Sequence, residues 1–259
     1  MKYFCPLILV VTLLLSCSQI DEDNRLIEVP HAKISRAVLV EDFTGQRCVN
    51  CPNAATEIER LQEEYGRENV IAVAIHSGPL AFYSTDKVLG LRTSLGDVYY
   101  DYWRVEAEPS GLIDRNGGVM LLDKWASKIY QELQLDAPVE LTAKAQISDN
   151  GLIEIGIEYL TVEDFTGKLQ VWITEDGIIA PQMLPDGTLN KDYVHNHVLR
   201  SAVNGTWGDD VVWTSGEQGS ISFPVQPQKD WNPQNLFVVV FVYSEIGVQQ
   251  VCQTRVIKY

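Results

Sequence analysis

Two cysteines, Cys48 and Cys51, are the residues of this sequence best suited to chemistry. Thiols with two residues between them close a small structural loop, exchange disulfides with a partner, or supply half of a zinc site. They stand in V-L-V-E-D-F-T-G-Q-R-C-V-N-C-P-N-A-A-T-E-I-E-R-L, from Val38 to Leu61. Val38, Leu39 and Val40 read as a buried strand, and Thr44 and Gly45 break it. Ala54, Ala55, Ile58 and Leu61 recur at helical spacing, with Pro52 tolerated in the first turn. The thiols then open a helix, where backbone N–H groups, the helix dipole and Arg47 favour a thiolate. Glu41 is expected to oppose it. A zinc site needs two further ligands, and His76, His195 and His197 lack the spacing to supply them, so no metal and no other cofactor is expected. His195 and His197 would share one face of a strand, and without an acidic or cysteine partner they read as a structural pair.

The elements that must position these thiols follow from the periodicity. Residues Arg25 to Ser35 form an extended lead-in. A strand over Val38–Phe43, a helix over Pro52–Tyr65 ending at Gly66, and a strand over Val70–His76 make a βαβ unit with a right-handed crossover. Ser77 to Trp103 is loop-like, then weakly helical. It carries Phe82, Tyr83, Tyr99, Tyr100, Tyr102 and Trp103, which form either a satellite core or the wall of a groove. Leu112, Ile113 and the turn Asp114 to Gly118 predict a hairpin returning through Val119–Leu122. A helix over Lys124–Leu135 closes this α/β part. Composition and period change at Pro138. Strands are predicted over Val139–Ile147, Leu152–Leu160, Leu169–Thr174, His195–Val203, Ser220–Val225, Phe237–Ser244 and Val248–Ile257. With no convincing helix among them, they predict an all-β antiparallel sandwich.

Composition narrows the partners. Of 259 residues 46% are hydrophobic, enough for real cores, and the net charge of −15 excludes nucleic acid and a polybasic membrane patch as partners. The N-terminus offers another route to a membrane. Lys2 precedes an apolar run from Pro6 to Leu15, too short to span, with the layout of a secretory signal. Leu14-Leu15-Ser16-Cys17 resembles the bacterial lipobox, which implies a signal peptide over residues 1–16 and lipid on Cys17. Residues 17–35 would be tether and lead-in. The acidic run Ser18 to Asn24 resembles a signal that sends some Bacteroidetes lipoproteins to the cell surface. Of five cysteines, Cys5 leaves with the signal and Cys252 reads as a buried inert thiol.

Three segments between Val38 and Leu135 resemble the thioredoxin superfamily. Asp42-Phe43 precedes the redox turn, Cys48-Val49-Asn50-Cys51 occupies the active-site motif, and Glu108-Pro109-Ser110 matches the proline segment beside the thiols. The resemblance implies a Cys48–Cys51 disulfide, Cys48 as attacking and Cys51 as resolving thiol, Pro109 as docking point for substrate backbone, and Asp42 as proton acceptor for Cys51. Arg47 replaces the usual Trp and Val49-Asn50 the usual Gly-Pro. E-D-F-T-G-Q-R-C-V-N-C-P, E-P-S-G-L-I-D-R and H-N-H-V-L-R together resemble the Bacteroidetes outer-membrane lipoprotein family named for a twenty-eight-kilodalton antigen. The expected fold is thus an α/β thioredoxin-like domain over residues 36–136 followed by an all-β antiparallel sandwich over 137–259. The expected location is the outer membrane, facing periplasm or cell surface, with the lipid as membrane contact. The expected function is exchange with protein thiols and disulfides. Its rival is a binding or adhesion lipoprotein with an unidentified surface partner, in which the cysteine pair is structural.

Overall fold

The structure, a computed structural model, describes residues 33–258. The expected signal peptide, lipidated Cys17 and acidic tether lie outside the described residues. The chain enters through β1 (Ile34–Ser35) and β2 (Val38–Thr44), crosses α1 (Cys51–Tyr65) and returns in β3 (Val70–His76). Each residue of β2 and β3 is buried, as their unbroken apolar runs require, and the two pair in parallel from Val38↔Val70 to Thr44↔His76. Then come α2 (Ser94–Tyr102), β4 (Ser110–Ile113), β5 (Met120–Leu121), α3 (Trp125–Glu132) and β6 (Asp136–Ala137). Thr93 caps α2 by accepting the Gly96 N–H at 2.9 Å.

The remaining chain is built of strands. They are β7 (Val139–Ile147), β8 (Ile153–Thr161), β9 (Phe165–Glu175), β10 (Ile178–Met183), β11 (Leu189–His195), β12 (Val198–Ala202), β13 (Asp209–Trp213), β14 (Gln218–Val225), β15 (Leu236–Ser244) and β16 (Gly247–Lys258). Strands β10 and β11 pair only with each other, as do β1 and β6. The other twelve form one mixed sheet in the order β14-β8-β7-β16-β15-β9-β12-β3-β2-β4-β5, with β13 beside β9.

Alternation along the central strands sorts side chains into cores on opposite faces. Leu169, Val171 and Ile173 of β9 and Val238 and Val240 of β15 pack with Ile153, Ile155 and Ile157 of β8. Their neighbours Trp172, Val239 and Phe241 turn the other way, and join Leu39, Phe43, Ile71 and Ile75 in a second core. Val38, Val40, Val70 and Ala72 face Ala54, Ile58 and Leu61 of α1 and Trp125 and Ile129 of α3. The second core draws residues from Ala37 to Val251, so the α/β segment and the strand-rich segment share it.

This overturns the expectation of a thioredoxin-like α/β domain followed by an all-β antiparallel sandwich. The chain is mostly β, and its sheet is continuous and mixed. Strand β12 lies in parallel beside β3 at Val198↔Ala74, and Ala74 N donates to His197 O at 2.8 Å. The physical reason lies in two edges. A β3 buried on both faces is costly to leave with unpaired backbone groups, and β12 meets its open edge at Ala74. Strands β9 and β15 are likewise buried on both faces over most of their length, where a free-standing sandwich would leave one face wet. Parallel pairing of β16 with β7, from Val256↔Ala145 to Lys258↔Ile147, departs again from an antiparallel sandwich.

Candidate functional site

The end of β2 sets the cysteines. After Thr44 the chain turns at Gly45, Cys48 N donates to Gly45 O at 3.0 Å, and Cys51 starts α1 with Pro52 next. Gly45 is required by crowding: a Cβ there would lie 2.5 Å from the Leu80 carbonyl carbon and 2.6 Å from Glu108 Oε2. Cys48 and Cys51 are joined in a disulfide with Cα atoms 5.4 Å apart. Both are buried, at 2% and 4% exposure, while Arg47, Val49 and Asn50 around them are exposed.

A hairpin from the far half of the chain covers this disulfide. Gln182 of β10 donates from Nε2 to Cys48 O at 2.8 Å and to Met183 O at 3.0 Å. Met183 N donates to Gln46 O at 2.9 Å. Gln46 answers with Nε2 donated to Pro181 O and to Leu89 O, both at 3.0 Å, and Oε1 accepts Leu91 N at 2.9 Å. These two buried glutamines fasten β10 and β11 onto the turn. Neither was visible as functional in the sequence, because 135 residues separate Gln46 from Pro181 and no local spacing announces the pair.

Beneath the disulfide is a cavity of about 60 Å³, lined by Asp42, Cys51, His76, Gln182, Tyr193 and His195 among others, large enough for water. Asp42 projects from β2 with its Oδ1 unpartnered, and burial, seconded by Glu108, pushes its pKa up to about 8. Glu108 has both carboxylate oxygens unpartnered, and burial pushes it up to about 7 against the pull of Arg92. His76 and His195 stack edge to face with centroids 5.2 Å apart. Burial holds His195 down to about 4, and burial with the neighbouring His195 holds His76 well below its ordinary range. All four groups are therefore held toward their neutral forms near pH 7, as a closed apolar setting dictates.

Of the site residues expected from the sequence, Asp42, Cys48, Cys51 and Pro109 lie in one neighbourhood. Asp42 pairs with Gly111 across β2 and β4, which sets Pro109, joined to Glu108 by a cis peptide bond, two residues upstream of that register. His195 and His197 do not share a strand face. His195 ends β11, and His197 sits in the link to β12 with φ of 60°, its N–H donated to Asp176 Oδ1 at 2.7 Å. Among the described residues no group of three or more His, Cys, Asp or Glu could hold a metal ion, and no helix is long and apolar enough to cross a membrane.

Glu41 does not act on the thiols as expected. It alternates with Asp42 and points to the opposite face of β2, where Arg115 meets it twice, Nε to Oε2 at 3.0 Å and Nη2 to Oε1 at 2.9 Å. The Arg115 guanidinium lies 4.6 Å from the Tyr243 ring centroid, 4.9 Å from Phe241 and 5.4 Å from Trp172. This paired charge in an aromatic setting ties the β2 and β9–β15 regions together. Of the aromatic cluster, Tyr99 is core, whereas Phe82 lines an open groove beside Arg47.

The solved structure of HBP35 of Porphyromonas gingivalis superposes with a TM-score of 0.65 over 87% of this chain and 76% of that one, at 14% identity, a likeness of fold. A domain of the outer membrane lipoprotein Omp28 from Porphyromonas gingivalis aligns at 23% identity, covering 47% of this chain and 90% of that one, with a TM-score of 0.34. The β-glucosidase DesR from Streptomyces venezuelae aligns at 11% identity over 48% of this chain and 15% of that one, with a TM-score of 0.28. No curated protein matches. The pattern of the family described as "Outer membrane protein Omp28" matches residues 96–258, from α2 to the end of β16. The chain belongs to the Omp28 family of outer membrane proteins, and the outer membrane is its location.

Proposed function

We propose that this protein is a lipid-anchored outer-membrane binding protein in which the Cys48–Cys51 disulfide is structural. The observation that carries the reading is the covered disulfide: both cysteines are buried and Gln182 holds the Cys48 carbonyl from the overlying hairpin. Exchange requires in-line approach of a partner thiolate to sulfur, and access governs its rate. Here that approach is closed. Family membership and the lipobox at Cys17 support the anchored location.

One observation favours thiol–disulfide exchange as a second reading. A structural loop has no use for a buried carboxyl with an orphaned oxygen, yet Asp42 lines the same cavity as Cys51. In exchange, a partner thiolate attacks Cys48 Sγ, the Cys48–Cys51 bond breaks, and Cys51 leaves as a thiolate that takes the Asp42 proton. A second partner thiolate then releases Cys48, leaving the partner oxidised and the pair reduced. The hairpin must lift first.

Trapping separates the two. A Cys51→Ala chain expressed in its native envelope should accumulate no mixed disulfides, and its Cys48 should alkylate only after unfolding. Mixed disulfides to partner proteins through Cys48 would overturn the binding reading and establish exchange.

A further inference from the structure

An open groove of about 580 Å³ runs beside the covered disulfide, between the outer face of the hairpin and the loop that carries Phe82. Its floor is Pro181 and Met183 of β10 with Leu189 of β11, and its wall is Phe82, Val88 and Leu89. Leu89 and Leu189 are 41% and 51% exposed, an apolar strip that folding leaves uncovered. Three cations rim it. Arg47 comes from the turn before Cys48 and lies over the Phe82 ring at 5.3 Å, Lys87 from the loop, and Lys191 from β11. Among the described residues none of the three is in an ion pair, although acidic side chains outnumber basic ones by 35 to 20 in the chain. The nearby carboxylates Asp86, Asp186 and Asp192 do not line the groove. Asp186 is exposed in the turn between β10 and β11, where it accepts from the Thr188 N–H and hydroxyl at 2.9 and 2.7 Å.

A cationic rim on an apolar floor, kept clear of its own carboxylates in an acidic protein, has a definite complement. We infer that this groove binds an extended segment of a partner protein in which apolar and acidic residues alternate. Apolar side chains of the segment rest on Phe82, Leu89 and Leu189, and its carboxylates meet Arg47, Lys87 and Lys191. The cations come from three separate segments of chain, which suits carboxylates spaced along a strand. A single phosphate would call for donors converging on one point. The inference rests on the binding reading above and names its partner class. Because Gln46, Pro181 and Met183 line the groove and also fasten the hairpin, a seated segment braces the cover over Cys48–Cys51.

The test uses the full oxidised chain and a fluorescein-labelled octapeptide of alternating Leu and Glu, followed by anisotropy. Binding should weaken at least tenfold in Arg47→Glu/Lys191→Glu and in 0.5 M salt, and persist in Arg47→Lys/Lys191→Arg. Near-UV circular dichroism establishes that each variant is folded. Equal binding of an octapeptide alternating Leu and Lys, or no loss in the charge-reversed variant, overturns the inference. Binding of phosphatidylglycerol vesicles in place of the acidic peptide overturns it as well and assigns the groove to lipid. None of these results produces a mixed disulfide in the Cys51→Ala trap, so failure of the groove and failure of the binding reading are told apart.

Discussion

Replacing Asp42 by Asn tests whether the carboxyl under the disulfide is held neutral. Burial, with Glu108 adding to it, raises its pKa from the ordinary 3.8 to about 8. Below pH 3.8 the group is protonated in the folded and the unfolded chain, and it contributes no pH dependence. Between 3.8 and about 8 the unfolded chain gives up a proton that the folded chain keeps, so stability falls as pH rises and levels off above 8. At ~1.4 kcal/mol per unit, the loss is about 4 kcal/mol by pH 7 and roughly 5–6 kcal/mol at the plateau. Asn keeps the shape and has no proton to lose. Its extra N–H donor adds an offset that does not depend on pH.

The assay is urea unfolding of oxidised wild type and Asp42→Asn at steps from pH 4.5 to 8.5, with slopes compared to establish two-state behaviour. Glu108 and Asp114, both pushed up to about 7, are present in both proteins, so their own pH dependence largely cancels in the difference. The variant should gain on wild type from pH 4.5 to about 8 and then level off. Two stability curves that stay parallel from pH 4.5 to 8.5 would refute the reasoning, because Asp42 would then titrate as an ordinary carboxyl.

Arg115→Met leaves Glu41 buried at 0% exposure without its partner, and should cost about 3–5 kcal/mol in urea unfolding. Adding Glu41→Gln should return much of that loss; no recovery would mean that packing and not charge is at stake. Gly45→Ala forces a Cβ to within 2.5 Å of the Leu80 carbonyl carbon and should destabilise by about 1–3 kcal/mol, visible as a lower thermal midpoint. Gln182→Ala removes the bonds to Cys48 O and Met183 O, worth about 1–1.5 kcal/mol. Dithiothreitol should then reduce the disulfide roughly tenfold faster, and an unchanged rate would show that the hairpin is not the barrier.

What could be read in the sequence depended on how many faces an element buries. The runs Val38–Val40 and Val70–Ile75 announce two-sided burial by having no polar partner face, and they fold as β2 and β3 over nearly the expected residues. β7 and β8 announce one wet face by alternation around the Asp149-Asn150-Gly151 turn. β9 and β15 defeat the same reasoning. Val171-Trp172-Ile173 and Val238-Val239-Val240 read as strands of a separate sandwich, yet both of their faces are apolar and the second face packs against β2 and β3. β10, β11 and β13 leave no strand pattern in the sequence. I-I-A-P-Q-M carries a proline and L-N-K-D-Y-V-H is largely polar, because this hairpin covers a site and leaves little of itself in a core. Arg115 sits in a D-R-N-G-G turn that reads as solvent-exposed, and nothing local signals that its side chain reaches Glu41, 74 residues back.

The pairing that defeats the two-domain expectation also accounts for the position of the hairpin over the disulfide. β12 joins β3 at Val198↔Ala74 and joins β9 at Val198↔Glu175, so the chain leaves and re-enters the sheet at neighbouring points. Both points adjoin the end of β3 that carries His76. The intervening hairpin of β10 and β11 must therefore rise there, above the start of α1, and this is where Gln182 finds the Cys48 carbonyl. Its two stems pass through residues in the left-handed region, Gly177 with φ of 71° and His197 with φ of 60°. Asn196 Oδ1 accepts the Gly177 N–H at 2.9 Å and closes the base. A hairpin pinned at its base in this way can uncover the disulfide only by releasing its tip side, that is, the bonds through Gln46 and Gln182. Access to Cys48 is then governed by two glutamine side chains and by whatever occupies the groove that Gln46 and Met183 share, and the sheet itself stays intact.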